Sequence, residues 1–97
     1  MQKIICDAIS DRQMLRVNYD NKGEREIEPY CLGFSKTGKI VLRAYQIVGD
    51  SKSGESDGWK LFNVEKVNSI SEPYGSFSDR PEYNPNDSVM DRIICNI

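Results

Sequence analysis

Apolar and polar residues alternate most regularly along residues 39–47, near the middle of the chain. A period of two is typical of a β-strand, and the β-branched and aromatic residues of this stretch favour the same structure. One face of the predicted strand is wholly apolar and comprises Ile40, Leu42 and Ala44. The other face combines aliphatic residues with a cation and a phenol, and comprises Val41, Arg43, Tyr45 and Ile47. We therefore predict a central strand with one apolar face and one mixed face.

The same patterning predicts a helix before the central strand and four further strands. Residues 2–12 carry an apolar stripe at helical spacing, made of Ile4, Ile5, Ala8 and Ile9. A helix this short is marginal alone, so the stripe is expected to dock on the open end of a sheet. The strands are predicted at residues 14–19, 25–34, 59–64 and 67–70. Pro29 lacks an amide hydrogen and therefore marks a bend, a bulge or an edge in the second of these strands.

The remaining residues predict turns and an irregular C-terminal region. Turns are expected at residues 20–23, 36–38 and 65–66, and a polar, glycine-rich loop at residues 49–58. This loop lacks the GxxxxGK[ST] spacing of a phosphate-binding loop. Residues 71–88 are expected to be irregular, with Phe77 and Tyr83 packed onto the sheet. A last short helix, capped by Asn86-Asp87, is predicted to contain Met90, Ile93 and Ile94.

Short strands joined by tight turns predict a mainly β fold, namely a small five-stranded barrel with an N-terminal helix and a C-terminal extension. The 97 residues suffice for one domain with a modest core. The net charge of −2 argues against a broad cationic surface for duplex binding. A local basic region remains, because no acidic residue occurs between Glu28 and Asp50.

Several classes of chemistry are disfavoured by the residues present. The chain has no histidine, which excludes Ser-His and Cys-His nucleophile pairs, so we expect no enzymatic activity and no cofactor. Cys6, Cys31 and Cys95 show no CxxC spacing, so we expect three reduced thiols and no metal site. No apolar run approaches the roughly 20 residues of a membrane span. The apolar stretch near the N-terminus is too short for a signal peptide, so a cytoplasmic location is expected.

The order of these elements resembles the WYL domain family, named for a Trp-Tyr-Leu run on its central strand. The resemblance covers about residues 3–71 and lies in the segments Ala8-Ile9, Leu15 to Tyr19, Gly23 to Tyr30, Gly38 to Tyr45 and Trp59 to Val67. Residues 25–30 are similar to the family's Arg-x-aliphatic-x-Pro strand. This chain departs from the family at Ile40 and Val41, which replace Trp and Tyr, and at Asn63, where an arginine is usual.

The resemblance implies both a fold and a function. The fold is an Sm-like, SH3-like barrel over residues 1–71, with residues 72–97 as an extension packed on it. Members of the family are implicated in sensing single-stranded DNA or RNA fragments or nucleotides, and they commonly regulate transcription or phage and CRISPR-type defence. A ligand-sensing module of phage or anti-phage-defence origin is therefore implied. The alternative is a protein-interaction module that docks a partner or forms a homodimer.

Binding of a single strand requires cations for the phosphates and flat side chains for the bases. Arg43 and Tyr45 are the strongest candidates, because they share a face and lie in the segment without acidic residues. The other candidates are Arg25, which the family match favours, and Tyr19, Trp59, Asn63 and Arg16. Structural roles are the alternatives: a salt bridge from Arg43 to Glu26 or Glu28, a solvated position for Arg16, and burial of the aromatic rings.

Overall fold

The computed structural model describes residues 1–48 and 58–97. Its elements in chain order are helix α1 (Gln2–Asp11), strands β1 (Leu15–Tyr19), β2 (Glu24–Ser35), β3 (Ile40–Val48) and β4 (Gly58–Asn63), a 3-10 turn (Val64–Lys66), and strands β5 (Val67–Ile70) and β6 (Met90–Asn96). Most of the loop predicted at residues 49–58 lies outside the described residues. Within the described part of the chain, no helix has the length and apolar character needed to cross a membrane.

Helix α1 ends one residue before its predicted boundary. Arg12 follows it in the left-handed conformation, with φ of 53°, and its backbone N–H donates to the carbonyl oxygens of Ala8 and Ile9. Ile5, Ala8 and Ile9 are buried in the core, so the predicted stripe does dock on the sheet. Ile4, which is 38% exposed, lies outside this contact.

All six strands belong to one antiparallel sheet in which the long strand β2 has three neighbours. The strand order is β4-β3-β2-β1-β5, and β6 also pairs with β2. The first half of β2 pairs with β1 and the second half with β6, while β3 runs along most of its length. The register between β2 and β3 shifts between Pro29 and Cys31, which confirms the predicted irregularity at this proline.

Across the described residues the sheet is open and has six strands, so the predicted five-stranded closed barrel is wrong on both counts. Strands β4 and β5 end the path at opposite sides, and within the described residues no pairing joins them. These two strands are connected by a 3-10 helix at Val64–Lys66, where the sequence predicted a tight turn. The side chain of Asn63 accepts a hydrogen bond from the backbone N–H of Glu65 and so stabilises this turn.

The predicted C-terminal helix is also wrong, because its residues form strand β6. Asp87 does accept a hydrogen bond from the backbone N–H of Val89, at 3.1 Å, as a capping residue would. This bond closes only a local turn. The following residues pair instead with the second half of β2, in a register that places Gly33 opposite Ile93. Tertiary pairing with an available strand edge therefore overrides the local capping signal.

The core lies between α1 and one face of the sheet. β3 contributes Leu42 and Ala44, with Ile40 packed beside them, so the predicted apolar face of the central strand is its core face. Other strands add Leu15, Val17, Ile27, Leu32, Phe62 and Val67. The opposite face of the sheet, which carries Arg43 and Tyr45, is called the outer face below.

A disulfide between Cys6 and Cys95 joins α1 to β6, with Cα atoms 5.8 Å apart. The prediction of three reduced thiols is therefore wrong for these two residues, and Cys31 alone is free and buried. Their sequence separation of 89 residues hid the pairing, because only the packing of α1 against β6 brings them together. Cross-links of this kind typically stabilise a fold by about 2–4 kcal/mol.

Candidate ligand-binding site

The outer face of the sheet carries a cluster of aromatic rings. Tyr30, Tyr45 and Trp59 come from β2, β3 and β4 respectively. Trp59 meets both tyrosines edge-on, with ring centroids 4.8 Å from Tyr30 and 5.3 Å from Tyr45. Edge-to-face pairs of this kind stabilise by about 0.5–1.5 kcal/mol beyond the area that they bury. Two of the predicted stacking residues, Tyr45 and Trp59, are therefore neighbours.

Residues 71–89, called the connecting segment below, link β5 to β6 and pack against this cluster. Phe77 and Tyr83 contact the ring of Tyr30, with centroid distances of 5.3 and 4.9 Å, as predicted from the sequence. Tyr83 also lies 6.0 Å from Trp59, with its ring tilted by 32°. The Tyr30 hydroxyl accepts a hydrogen bond from the backbone N–H of Arg80 at 2.8 Å. The connecting segment thus covers part of the outer face.

Arg43 forms a two-point ion pair with Asp87 of the connecting segment. Its Nε donates to Oδ2 at 2.6 Å and its Nη2 to Oδ1 at 3.3 Å. The arginine side chain is 22% exposed and the aspartate side chain 10% exposed. The hydrogen bonds from Arg43 hold the pKa of Asp87 below its usual value. Arg43 does form a salt bridge, but its partner is Asp87 and not Glu26 or Glu28.

Arg80 is the second charged contact between the connecting segment and the sheet. Its guanidinium lies 3.6 Å from the centroid of the Tyr45 ring, which is cation–π geometry. It also donates to both carboxylate oxygens of Glu28, at 2.8 and 3.3 Å, and the Glu28 side chain is 8% exposed. Tyr45 is therefore covered by a cation from the same chain.

A pocket of about 230 Å³ opens between the outer face and the connecting segment. Its walls include Arg43 and Trp59 from the sheet, and Glu82, Tyr83 and Asp87 from the connecting segment. Burial raises the pKa of Tyr83 to about 12, so this ring stays neutral at physiological pH. The pocket therefore combines one guanidinium, two aromatic rings and two carboxylates.

Three predicted site residues lie together on the outer face, whereas Arg25 and Tyr19 lie elsewhere. The guanidinium of Arg25 is 5.2 Å from the Tyr19 ring, and its Nη1 donates to Oε1 of Gln46 at 3.5 Å. Tyr19 packs edge-on against the core residue Phe62, at 5.0 Å. Its hydroxyl accepts a hydrogen bond from the backbone N–H of Asn63, which places both residues near the end of β4.

Arg16 and Asn63 are also separate from the pocket at Arg43. Arg16 lies 4.0 Å from the centroid of the Tyr74 ring and forms a salt bridge with Glu26 at 3.6 Å. The hydroxyl of Tyr74 donates a hydrogen bond to the same glutamate. Asn63 lines a second pocket, of about 530 Å³, together with Lys39 and other residues of the adjacent turns.

Sequence reasoning missed the contributions of Arg80 and Asp87 to the site. It placed Asp87 at a helix terminus and gave Arg80 no role. One signal was available, since carboxylates are absent between Glu28 and Asp50 but frequent later in the chain, where they include Asp79, Glu82, Asp87 and Asp91. An acidic stretch of this kind is the expected partner of the basic central strand.

No protein-family model matches the chain. No curated protein matches it either. Among solved structures, the chain is similar to the proteasome accessory factor B/C (PafBC) of Arthrobacter aurescens, with 20% identity and a TM-score of 0.67. The match covers 88% of this chain but spans only 13% of that protein's chain. At this identity the likeness shows the fold, and it is consistent with the WYL-like domain that the sequence resembles.

Proposed function

We propose that this chain is a non-catalytic, WYL-like regulatory module that senses a nucleotide, free or at a single position of a single strand. The observation that carries the proposal is that Arg43 and Trp59 line the same pocket. A guanidinium holds a phosphate through two parallel N–H···O bonds. An indole ring offers a face on which a base stacks, which stabilises binding by about 1–3 kcal/mol.

The size and charge of the pocket favour a small ligand. Its volume of about 230 Å³ is below the roughly 300–1,000 Å³ of typical small-molecule sites, so it suits one nucleotide better than several. Among the described residues that line it, Arg43 is the one cation. Arg43 is paired with Asp87, so a phosphate would compete with this carboxylate for the guanidinium. These features support a ligand with one base and one phosphate at the site.

The non-catalytic and regulatory parts of the proposal have different support. The chain has no histidine, and the described residues hold no group of three side chains suited to a metal ion. The regulatory role, in transcription or in phage defence, rests on the resemblance to the WYL family.

Trp59 is the single tryptophan of the chain, so its fluorescence reports directly on the pocket. We expect adenosine monophosphate and a 5′-phosphorylated dinucleotide to change this fluorescence saturably. Arg43→Gln should weaken binding by roughly 10- to 100-fold, because a hydrogen-bonded charge contributes about 1.5–3 kcal/mol. The matched control is Arg92→Gln on β6, whose guanidinium lies 4.7 Å from the Phe34 ring, and it should bind as the wild type does.

Three further results decide this proposal. Because the phosphate contact joins opposite charges, the binding constant of the phosphorylated probes should fall as the salt concentration rises. Equal affinity for adenosine and its monophosphate would contradict the role of Arg43. No binding of either phosphorylated probe at low salt would contradict the proposed function.

A second candidate is a protein-interaction module, which one observation favours. Ile4 on α1 and Ile93 on β6 are 38% and 43% exposed, on the two elements that the disulfide joins. Exposed aliphatic side chains of this kind are suited to contact with a partner or a second copy. This candidate predicts an unchanged Trp59 fluorescence in the titration above.

A further inference from the structure

The connecting segment presents to the outer face the same kinds of groups that a nucleotide would present. The carboxylate of Asp87 meets the guanidinium of Arg43 through two hydrogen bonds, at 2.6 and 3.3 Å, as a phosphate would. The ring of Tyr83 lies 6.0 Å from Trp59 at an interplanar angle of 32°, where a base would approach the indole. The segment therefore contacts both residues on which ligand binding is expected to depend.

Residues 71–80 of the segment are anchored by backbone hydrogen bonds, as between Tyr74 and Met14, whereas the part over the pocket contacts the sheet through the side chains of Tyr83 and Asp87. The segment's two charged contacts with β2 and β3 are made by Arg80 and Asp87. Between them, residues 81–86 form turns without a helix or strand, and they include Pro81 and Pro85. A stretch without ladder hydrogen bonds separates from a sheet more readily than a paired strand does.

We propose that the connecting segment is an intramolecular occupant of the ligand site, and that the ligand binds by replacing Asp87 on Arg43. This proposal rests on the function proposed above. It also restricts the ligand class. Among the described residues that line the pocket, Arg43 is the one cation, and it remains on the sheet when the segment leaves. A nucleotide with a single phosphate therefore fits better than a di- or triphosphate, whose further phosphates would meet no cation of the pocket.

Occupancy by the segment should lower the apparent affinity for the ligand. Only molecules in which Asp87 has left Arg43 can bind the ligand. The measured dissociation constant therefore rises in inverse proportion to the fraction of molecules in that state. Asp87→Asn keeps the size of the side chain but removes its charge, so it weakens the contact with Arg43. The same change leaves Arg43 and Trp59 available to the ligand.

The test compares two aspartates of the same segment. Asp79 forms a similar two-point pair with Arg12, at 2.7 and 3.2 Å, away from the pocket, so Asp79→Asn is the matched control. We expect Asp87→Asn to bind adenosine monophosphate roughly tenfold more tightly than the wild type, and Asp79→Asn to stay within about twofold. Trp59 fluorescence gives the affinities. The diphosphate should bind more weakly than the monophosphate in all three proteins.

Hydrogen exchange on the wild type provides a second readout that needs no variant. Adenosine monophosphate should speed exchange of the backbone amides of residues 82–89, because the ligand displaces this part of the segment. Slower exchange there would overturn the proposal. Because this measurement uses the wild type, it tests the proposal even when Asp87→Asn fails to fold.

The outcomes also separate this proposal from the proposed function. Wild-type binding with unchanged or weaker binding by Asp87→Asn would overturn displacement and leave nucleotide binding in place. No binding by the wild type or by either variant would overturn both.

Discussion

Arg43 illustrates what alternation along a strand can and cannot predict. The pattern correctly places this residue opposite the core face of β3, and its neighbour Tyr45 on the same side. The partner of Arg43 could not be found by the same reasoning. Asp87 is 44 residues away in sequence, and it reaches the arginine only because the connecting segment crosses the outer face.

The pair between Arg43 and Asp87 makes stability depend on pH in the acid range. The pKa of Asp87 is lowered from its usual 3.8 in the folded protein. A carboxyl with a lowered folded pKa stabilises fully above its unfolded pKa, and this stabilisation is lost as the pH falls through the folded value. Asp87→Asn should therefore cost about 1.5–3 kcal/mol of unfolding free energy at pH 7, and less as the pH falls below 3.8.

Denaturant unfolding of both proteins at several pH values measures this difference. The neighbouring carboxyl groups of Glu28 and Glu82 are present in both proteins, so the difference between the two isolates Asp87. Burial raises the pKa values of Cys31 and Tyr83, and both stay protonated in acid. Asp91→Asn removes an exposed carboxyl from β6 and is the matched control, for which little change is expected. A cost for Asp87→Asn that stays constant down to pH 2 would show that the ion pair is not its source.

Among the elements, local patterning predicted α1 and the first five strands, but not β6. Residues that repeat every two or four positions identify which face meets the core, as they do in α1 and β3. The C-terminal stretch carries both a capping signal at Asp87 and β-branched residues at Ile93 and Ile94. Only the second half of β2, which offers an edge opposite β3, resolves this conflict in favour of a strand. Local patterns also could not predict whether the sheet closes, because closure depends on how β4 and β5 are oriented.

Gly33 tests the pairing of β2 with β6. A Cβ at this position would lie 2.6 Å from the backbone oxygen of Arg92 and 2.8 Å from the sulfur of Met90. The backbone cannot yield without moving β6, so Gly33→Ala should lower the unfolding free energy by about 1–3 kcal/mol. Ser69→Ala, at an exposed position of β5, is the control and should change it by less than about 0.5 kcal/mol.

Urea denaturation of the two variants gives these values. If Gly33→Ala were as stable as the wild type, β6 could not lie against β2 in the register described. A helix at residues 90–96 would then be the better account.

For the whole molecule, the separation of the two faces of the sheet says more about function than the net charge does. One face of the sheet packs with α1 as the core, and the other carries the aromatic cluster, the pocket and the connecting segment. Composition and pattern could predict a small, mainly β domain with a basic central strand. They could not predict the Cys6–Cys95 disulfide, or the ion pairs by which the connecting segment neutralises the outer face, because these contacts join residues that are distant in the sequence.

The central claim is that Arg43 and Trp59 form one binding site, and nitrogen-15 NMR tests it most directly. The indole N–H of Trp59 and the Nε–H of Arg43 each give a side-chain resonance, and the Nε–H of Arg12, paired with Asp79 at 2.7 Å, is an internal control. On titration with adenosine monophosphate, we predict that the Trp59 and Arg43 resonances shift with a common dissociation constant while that of Arg12 stays in place. Resonances of Trp59 and Arg43 that do not move, or that move no more than that of Arg12, would contradict the account.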